Sequence, residues 1–232
     1  MLGVIVNVIT VILGSLIGLL FKKGIPEKVS SAAMVGLGAC TLYIGISGSL
    51  CGENTLIVIA SIVLGVISGT VLNIDGTINK LAKTVETKFK MDGHGVSLAE
   101  GLVTATLLFC VGSMTVTGSI QAGLTGDNSV LITKATLDLV SSMMLASSLG
   151  FGVMLASLSV FVIQGGLVLL AGLIAPFMST GAINEMTCVG SVLIIMLGTN
   201  LMKITQIKVA DFLPAIVFAP IIYNAVLWIS CK

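Results

Sequence analysis

A lysine and an aspartate stand one helical turn apart inside an apolar stretch of the chain. Asp138 follows the start of the stretch 131–150 by seven residues, and Lys134 precedes it by four. Residues four apart lie on one face of a helix, so the two side chains can meet. A charge at the centre of a bilayer costs roughly 2.5–3.5 kcal/mol, and such residues mark ion or solute pathways. The pair predicts a protonatable or cation-coordinating carboxylate with a lysine counter-charge; a structural ion pair is the alternative.

A glycine-rich segment precedes this pair. In LLFCVGSMTVTGSIQAGLTGD (107–127), glycines alternate with hydroxyl and amide side chains. Inside a membrane, a broken helix is tolerated only where it is buried in protein or lines a watery cavity. The segment 112–127 therefore predicts a broken span or a re-entrant loop that offers carbonyls and hydroxyls to a solute or cation. An external loop over 119–130 is the alternative. The candidate lining residues are Ser113, Thr117, Gln121 and Asp127.

Other polar side chains lie within or beside the apolar stretches. Gln164 is followed by two glycines, which let another backbone approach, so it is a further candidate for the lining. A lone amide in a span more often forms an interhelical hydrogen bond, and this is the interpretation for Asn7, Asn200 and Asn224. Three carboxylates at predicted span ends are expected at the membrane interface: Glu100, Glu185 and Asp211.

The elements that position these residues are predicted to be membrane helices. Of the 232 residues, 56% are hydrophobic and 9% are charged, whereas a typical soluble domain is about 25% charged. A helix needs roughly 20 apolar residues to cross a bilayer. The predicted fold class is an all-α polytopic membrane bundle of about eight spans: 2–21, 32–50, 55–73, 99–118, 131–149, 152–175, 186–204 and 210–230.

Several function classes are disfavoured by what the sequence lacks. The net charge is +1 without a basic arm, so nucleic acid is not an expected partner. Arginine is absent, which removes the bidentate clamp for phosphate. His94 is the single histidine and no CxxC pair occurs, so neither a metal site nor a cofactor is expected. No motif of a known catalytic class is present, and the chain is not expected to be an enzyme.

Lysine placement predicts the topology. With eight spans, nine lysines fall on one side of the membrane, and only Lys134 and Lys232 fall on the other. Lysine-rich loops remain in the cytoplasm, so both termini are expected outside the cell. The segment 74–97 has apolar residues at helical spacing and several lysines. It is expected to form a cytoplasmic amphipathic helix on the membrane surface, with a solvated connector as the alternative.

A weak internal repeat suggests how the single domain 1–232 is organised. A shift of 154 residues superimposes 2–73 on 156–227, span on span. Because the shift covers five spans, the two triplets would cross the membrane in opposite senses, as in many secondary transporters. The expected units are a first three-span unit (1–73), the connector (74–97), a central glycine-rich span pair (98–150) and a last three-span unit (151–232).

The full length of the chain resembles the uncharacterised bacterial integral membrane family that includes YqgA and YdfK. The segment 107–127 and LITKATLDLVSSMMLASSLGFGV (131–153) carry the resemblance, with support from 7–26, 161–166 and 209–222. In this family a G-P-M pattern usually follows the phenylalanine–cysteine pair, whereas here Ser113 replaces the proline. The resemblance implies a polytopic membrane protein, often labelled a transporter, and it implies no substrate.

Two functions remain open from the sequence. The first is a transporter or channel for a small solute or ion in the bacterial cytoplasmic membrane, with Asp138, Lys134 and the segment 112–127 along its path. The second is a non-transporting scaffold, sensor or assembly subunit that works through the segment 74–97. The expected partners are the lipid bilayer and the solute, and a homodimer is the default oligomer because small-residue helix faces favour association.

Overall fold

The computed structural model describes residues 1–22, 27–88 and 97–230, and within these ranges the chain is helical and has no β-strand. The predicted all-α fold class is confirmed. Two short 3-10 turns, Ala175–Phe177 and Val209–Phe212, lie between helices. The helices are α1 (Leu2–Lys22), α2 (Glu27–Ser49), α3 (Thr55–Val71), α4 (Ile74–Lys88), α5 (Leu98–Cys110), α6 (Ser113–Leu124), α7 (Ser129–Leu149), α8 (Phe151–Leu169), α9 (Ala171–Ile174), α10 (Thr180–Leu201) and α11 (Ala215–Ser230).

Short polar residues and a glycine set several helix ends. Asn54 caps α3 by accepting the Leu56 N–H at 3.0 Å, and Ser179 caps α10 by accepting the Ala182 N–H at 3.3 Å. These caps satisfy N–H groups that have no partner within the helix. Between α7 and α8 the chain turns through Gly150 alone, at φ 80°, a conformation that glycine adopts without steric cost. The spans predicted on either side of this glycine are therefore separate helices.

Five helical segments are each long and apolar enough to cross a membrane: α1, α7, α8, α10 and Val209–Ile229, which contains all but the last residue of α11. Two pairs pass the same test only together, because each is bent at a short break: α3 with α4 by 53°, and α5 with α6 by 61°. The described residues thus contain five candidate spans, or up to seven with the bent pairs. Within the fully described part of α2, the apolar segment Met34–Ser49 is shorter than this test requires, so the count of eight spans stays a prediction.

Large apolar side chains cover the outside of the bundle. Leu20, Tyr43 and Leu50 are 74%, 75% and 80% exposed. Water would not stabilise so much apolar surface, whereas lipid would. The interior is filled by a separate set of apolar residues, such as Leu107 of α5 and Leu193 of α10. The bundle is therefore apolar on both its inside and its outside, as expected for a membrane protein.

The break in the glycine-rich segment lies before residues 119–130, for which an external loop was the alternative prediction. Val111 and Gly112 separate α5 from α6, whereas 119–124 continue α6 as helix. Only 125–128 link α6 to α7. A helix satisfies its own backbone hydrogen bonds, which favours it over a loop in apolar surroundings despite the glycines.

Two other predicted boundaries also differ from the observed ones. Within the sixth predicted span, 152–175, helix α8 ends at Leu169. The chain becomes helical again in the short α9. In the predicted connector 74–97, α4 accounts for Ile74–Lys88, and 89–96 lie outside the described residues.

Helices α1 and α7 pack along each other in parallel. Gly14 lies against the Leu139 carbonyl, and one turn further along Gly18 lies against the Met143 carbonyl. The contacts advance in the same direction on both helices, which establishes their parallel sense. Hydrogen is the only side chain that allows backbones to approach so closely, as in other small-residue contacts between membrane helices.

Two further helix pairs pack through glycine but run antiparallel. Along α2 and α10 the contacting positions move in opposite directions, and the same holds for α3 and the segment Val209–Ile229. The contacts are Gly38 with Met202, Gly48 with Ser191, Gly65 with Ala215 and Gly69 with Asp211.

Candidate functional site

An ion pair lies at the centre of the candidate site. On α7, the Lys134 ammonium contacts the Asp138 carboxylate one turn away, and the two residues are only 5% and 6% exposed. Within the part of the chain that the structure describes, this is the one ion pair. The pairing that the sequence predicted from the four-residue spacing is therefore present, and it is shielded from the surroundings.

Helices α1 and α8 add two amides to the ion pair. The Asn7 side-chain N–H group donates to Asp138 at 3.0 Å and to the Gln164 carbonyl oxygen at 3.2 Å. Both amide residues are fully buried. The Gln164 amide nitrogen has no partner among the described residues, so a buried donor remains free beside the charges. We refer to Asn7, Lys134, Asp138 and Gln164 as the polar cluster.

The break between α5 and α6 lies next to the polar cluster. The Lys134 ammonium stands over the Phe109 ring, 5.9 Å from its centre, within range of a cation–π interaction. Phe109 is in the last turn of α5, where backbone carbonyls lose their helical partners. Thr115 of α6 donates its hydroxyl to the Phe109 carbonyl at 2.9 Å. The C-terminal end of a half-helix, which carries a partial negative charge, is thus close to a buried ammonium group.

Four of the predicted lining residues lie away from the polar cluster. Ser113 and Thr117 are exposed, and the Thr117 hydroxyl donates to the Ser113 carbonyl at 2.8 Å within α6. Gln121 donates to Asp127 at 2.8 Å. The backbone N–H of Ser129 also donates to Asp127, at 2.9 Å, and it lowers the pKa of that exposed carboxyl. Of the seven candidates, the structure brings together Asp138, Lys134 and Gln164.

Sequence reasoning missed the face of α6 that points inward. Thr115 and Ser119, one turn apart, are fully buried, and no described residue forms a hydrogen bond with the Ser119 hydroxyl. The signal was available, because Thr115 and Ser119 share the four-residue spacing of a helix face, but Ser113 and Thr117 share it equally. The sequence also assigned Asn7 to interhelical hydrogen bonding in general, without Asp138 as its partner.

Two carboxylates that were expected at the membrane interface are buried within the protein. Glu185 is fully buried and accepts the backbone N–H groups of Glu53 and Asn54, each at 2.8 Å. Asp211 is 7% exposed and accepts the Asp75 N–H at 2.9 Å. Glu185 thus lies against the N-terminus of α3, and Asp211 lies against the N-terminus of α4. At a helix N-terminus a negative charge is stabilised by the helix dipole and by unpaired N–H groups. Both contacts are made to connections at helix ends, so the interfacial positions of these two residues stay a prediction.

The polar cluster offers a carboxylate, an ammonium group and two amides, which suits an ion or a small polar solute more than a metal cofactor. Among the described residues no group of three or more His, Cys, Asp or Glu side chains could hold a metal ion. The groups that could bind a solute are the free donor on Gln164 and the two charged groups of the ion pair.

The fold and the site together define a polytopic all-helical membrane protein that encloses a charged cluster beside a broken helix. The chain belongs to the family described as "Protein of unknown function (DUF554)", whose model matches residues 2–224. The predicted resemblance is thereby confirmed.

Two relatives match nearly the whole chain. "Uncharacterized membrane protein YdfK" of Bacillus subtilis (strain 168) is 35% identical over 226 residues, which covers 96% of this chain and 95% of that protein. "Uncharacterized protein YqgA" of Escherichia coli (strain K12) is 28% identical over 222 residues, which covers 94% of each chain. No solved structure matches the chain. The comparisons thus agree with a membrane protein and name no substrate.

Proposed function

We propose that this protein moves a small solute or ion across the bacterial cytoplasmic membrane, along a path that includes the polar cluster and the α5–α6 break. The observation that carries the proposal is the buried Lys134–Asp138 pair, which lies beside that break in an apolar helix bundle. Charged residues in membrane bundles are found along ion and solute pathways. Non-helical backbone at membrane depth is typical of positions that line such a path.

Stability alone is a weak reason for a protein to contain this pair. Removing two charges from water costs several kcal/mol for each ion, and well-packed apolar residues in their place are often neutral or stabilising. The free Gln164 donor adds a further cost of about 1–3 kcal/mol for an unpaired buried polar group. Sites that depart from the most stable arrangement in this way are commonly functional. A solute that accepts a hydrogen bond would satisfy the Gln164 donor.

The packing of the helices supports the proposed inverted repeat. A shift of 154 residues places 27–49 on 181–203, which is close to α10, and 55–71 on 209–225, within Val209–Ile229. Each of these helices packs antiparallel against its counterpart, as a two-fold axis in the membrane plane requires. Transporters with such repeats place their solute site near the middle of the membrane and alternate its access between the two sides.

The remaining parts of the proposal follow from the lysine distribution and the absent motifs. Both termini face outward, and the lysine-rich connections after α3 and α10 face the cytoplasm. The protein works without a cofactor or nucleic acid, it is not an enzyme, and its default assembly is a homodimer within the bilayer. The second function, a scaffold or sensor acting through 74–97, is kept as an outcome of the experiment below.

Flux across proteoliposomes tests the proposal. Wild-type protein is reconstituted and challenged with gradients of protons, sodium, potassium and chloride and of amino acids and organic anions, by charge movement and by radiolabelled uptake. We expect flux of at least one solute that the double variant Lys134→Gln/Asp138→Asn abolishes. The double variant is chosen because it leaves no unpaired charge. The matched control is Asp127→Asn, which changes a carboxylate that bonds Gln121 and lies away from the polar cluster.

Two results would contradict the proposal. One is flux that the double variant and the wild type share, which would remove the polar cluster from the path. The other is silence of folded wild-type protein by both methods, because radiolabelled uptake also detects electroneutral transport. Silence would favour the scaffold function and direct attention to α4.

A further inference from the structure

A cavity of about 920 Å³ opens at the end of the bundle that carries Lys203 and Lys208. It lies between the first turns of α4 and α5, the end of α10 and the 3-10 turn that follows. Its volume is within the range of small-molecule sites. The polar cluster does not line it, so this cavity is a separate feature of the fold.

Among the described residues, the charged groups that line the cavity are balanced in sign. Asp75 and Glu100 contribute two carboxylates, and Lys203 and Lys208 contribute two ammonium groups. None of these four residues is part of an ion pair among the described residues, where Lys134–Asp138 is the one such contact. The Asp75 carboxylate accepts a hydrogen bond from Asn79 at 3.0 Å, whereas no described residue donates to the Glu100 carboxylate. Opposite charges therefore face a shared space without neutralising each other by contact.

Lys203 occupies a backbone position that ordinarily favours glycine. Its φ is 59°, and it directly follows the C-cap of α10. There the Lys203 N–H donates to the Asn200 carbonyl at 2.8 Å, and the Ile204 N–H donates to the Thr199 carbonyl at 3.0 Å. This is the Schellman arrangement, in which the left-handed residue is usually glycine. A lysine there is strained, yet its side chain borders the cavity. The strain points to a role for the side chain rather than for the backbone.

Part of the cavity wall is apolar. Met34 of α2, Val103 of α5 and Leu201 of α10 form part of it. A ligand that fits the whole surface would thus carry one positive group, one negative group and an apolar or small body. A simple anion would meet Asp75 and Glu100 as repulsive neighbours, and a simple cation would meet the two lysines in the same way.

We infer that this cavity binds a small zwitterionic solute of the amino-acid class, with Lys203 at its carboxylate and Glu100 at its ammonium group. Both contacts are charge-assisted hydrogen bonds, which are stronger than those between neutral groups. The inference extends the proposed function by giving the class of solute, and it rests on that function only for the step in which the bound solute crosses the membrane. Binding itself can be measured without flux.

The test is calorimetric titration of the full-length protein in nanodiscs. The probes are glycine, L-alanine and L-leucine, each with two analogues that lack one charge: acetate and methylamine, propionate and ethylamine, 4-methylpentanoate and 3-methylbutylamine. We expect saturable binding of at least one amino acid and affinity at least about tenfold weaker for both of its analogues, because each analogue leaves one charged group of the cavity without its partner.

Two variants locate the bound solute. Lys203→Gly should weaken binding by at least about tenfold while the Tm stays equal or rises, since glycine removes the strain at this position. Glu100→Gln should weaken binding to a similar extent. Lys83→Gln is the matched control, because Lys83 is an exposed lysine of α4 that does not line the cavity, and it should bind as the wild type does.

Three outcomes would overturn the inference: no binding of any of the amino acids, equal affinity for an analogue with one charge, or unchanged affinity in both variants. The first is distinguishable from failure of the proposed function. Flux that depends on the polar cluster, in a protein that binds none of the amino acids, would keep the transport proposal and remove this one.

Discussion

At the scale of single residues, the buried polar groups form two kinds of contact. Glu185 and Asp211 accept backbone N–H groups at helix N-termini and stabilise turns of the chain. Lys134 and Asp138 pair with each other, and Asn7 is their single amide donor among the described residues. The first kind has a structural explanation in these bonds, although the second oxygen of Glu185 has no partner among the described residues. The second lies beside a helix break and leaves Gln164 with a free donor, which is why we connect it with transport.

Removing one charge of the pair should destabilise the fold more than removing both. In Asp138→Asn the Lys134 ammonium remains buried without a counter-charge, and we expect the free energy of unfolding to fall by about 3–5 kcal/mol. The double variant Lys134→Gln/Asp138→Asn should recover most of that loss. Denaturant unfolding of the purified proteins in detergent measures both. Equal stability of Asp138→Asn and wild type would mean that Lys134 reaches water.

Asn7 should matter more than another buried polar residue of the same helix. Asn7→Leu keeps the number and branching of the side-chain heavy atoms but removes the donor to Asp138 and Gln164, so we expect a loss of about 1–3 kcal/mol. Ser15 is also fully buried on α1, but no residue in the described part of the chain bonds its hydroxyl. Ser15→Ala should therefore be neutral or slightly stabilising. Thermal unfolding of the two variants side by side checks this, and a larger loss for Ser15→Ala would refute the assigned contacts.

At the scale of elements, glycine determines how closely the helices approach. In α1 a methyl group on Gly18 would collide with the Met143 carbonyl of α7, whereas a methyl group on Gly36 of α2 would meet nothing within 4 Å. The sequence displays the two glycines alike. Only the packing separates a glycine that is required from one that is replaceable.

We expect Gly18→Ala to destabilise the protein by about 1–3 kcal/mol, because the overpacked contact forces α1 and α7 apart. Gly36→Ala should be neutral or stabilising by up to about 1 kcal/mol, since alanine favours helix over glycine. The thermal unfolding temperatures of the two variants provide the comparison. Similar losses in both would show that Gly36 also contacts a neighbour, such as a second subunit.

The break before α6 should accept a proline at Ser113. Gly112 has φ −63° and ψ 149°, the conformation that a residue before proline prefers. Ser113 is the first residue of α6, where proline lacks only an N–H that has no helical partner. We expect Ser113→Pro to keep the fold and to gain up to about 1 kcal/mol through a less flexible unfolded chain.

Thr117→Pro is the control for that substitution, since it places proline in the interior of the same helix and should cost about 3 kcal/mol or more. Both variants are compared by thermal unfolding and by retention in size-exclusion chromatography. Loss of the fold in Ser113→Pro would mean that the break depends on the Ser113 N–H.

At the scale of the whole molecule, the open proposals concern orientation and symmetry. The first region, at one end of the bundle, contains the cavity, α4 and the α10–α11 connection. The second region is the α2–α3 connection, which contains Cys51. It also contains Glu53 and Asn54, whose N–H groups donate to Glu185. If the lysine-rich end faces the cytoplasm, these two regions are on opposite sides of the membrane.

An impermeant maleimide applied to intact cells tests this orientation. We expect the exposed Cys51 to react from outside, and Lys83→Cys in a Cys51→Ser background to react only after the membrane is permeabilised. Labelling of Lys83→Cys in intact cells would reverse the proposed orientation. The Cys51→Ser protein without a new cysteine provides the background signal, because Cys40 is also exposed.

Composition and spacing by themselves determined the membrane class, the all-α fold and the ion pair. These properties are local: an apolar run of sufficient length must be helical in lipid, and residues four apart on a helix must share a face. The position of Gly150 also marked where one span ends and the next begins. For the same reason the sequence identified Lys134 and Asp138 correctly as a pair, although it could not show what surrounds them.

Tertiary structure decided which distant residues meet. Asn7 donates to Asp138, 131 residues away in sequence, and to Gln164, 157 residues away, and no local pattern specifies such contacts. It also decided that Thr115 and Ser119, rather than Ser113 and Thr117, face the interior, because both pairs have the same helical spacing. The cavity at the Lys203 end is likewise a product of four separate chain segments. Long-range packing selects among faces and partners that local chemistry leaves equivalent.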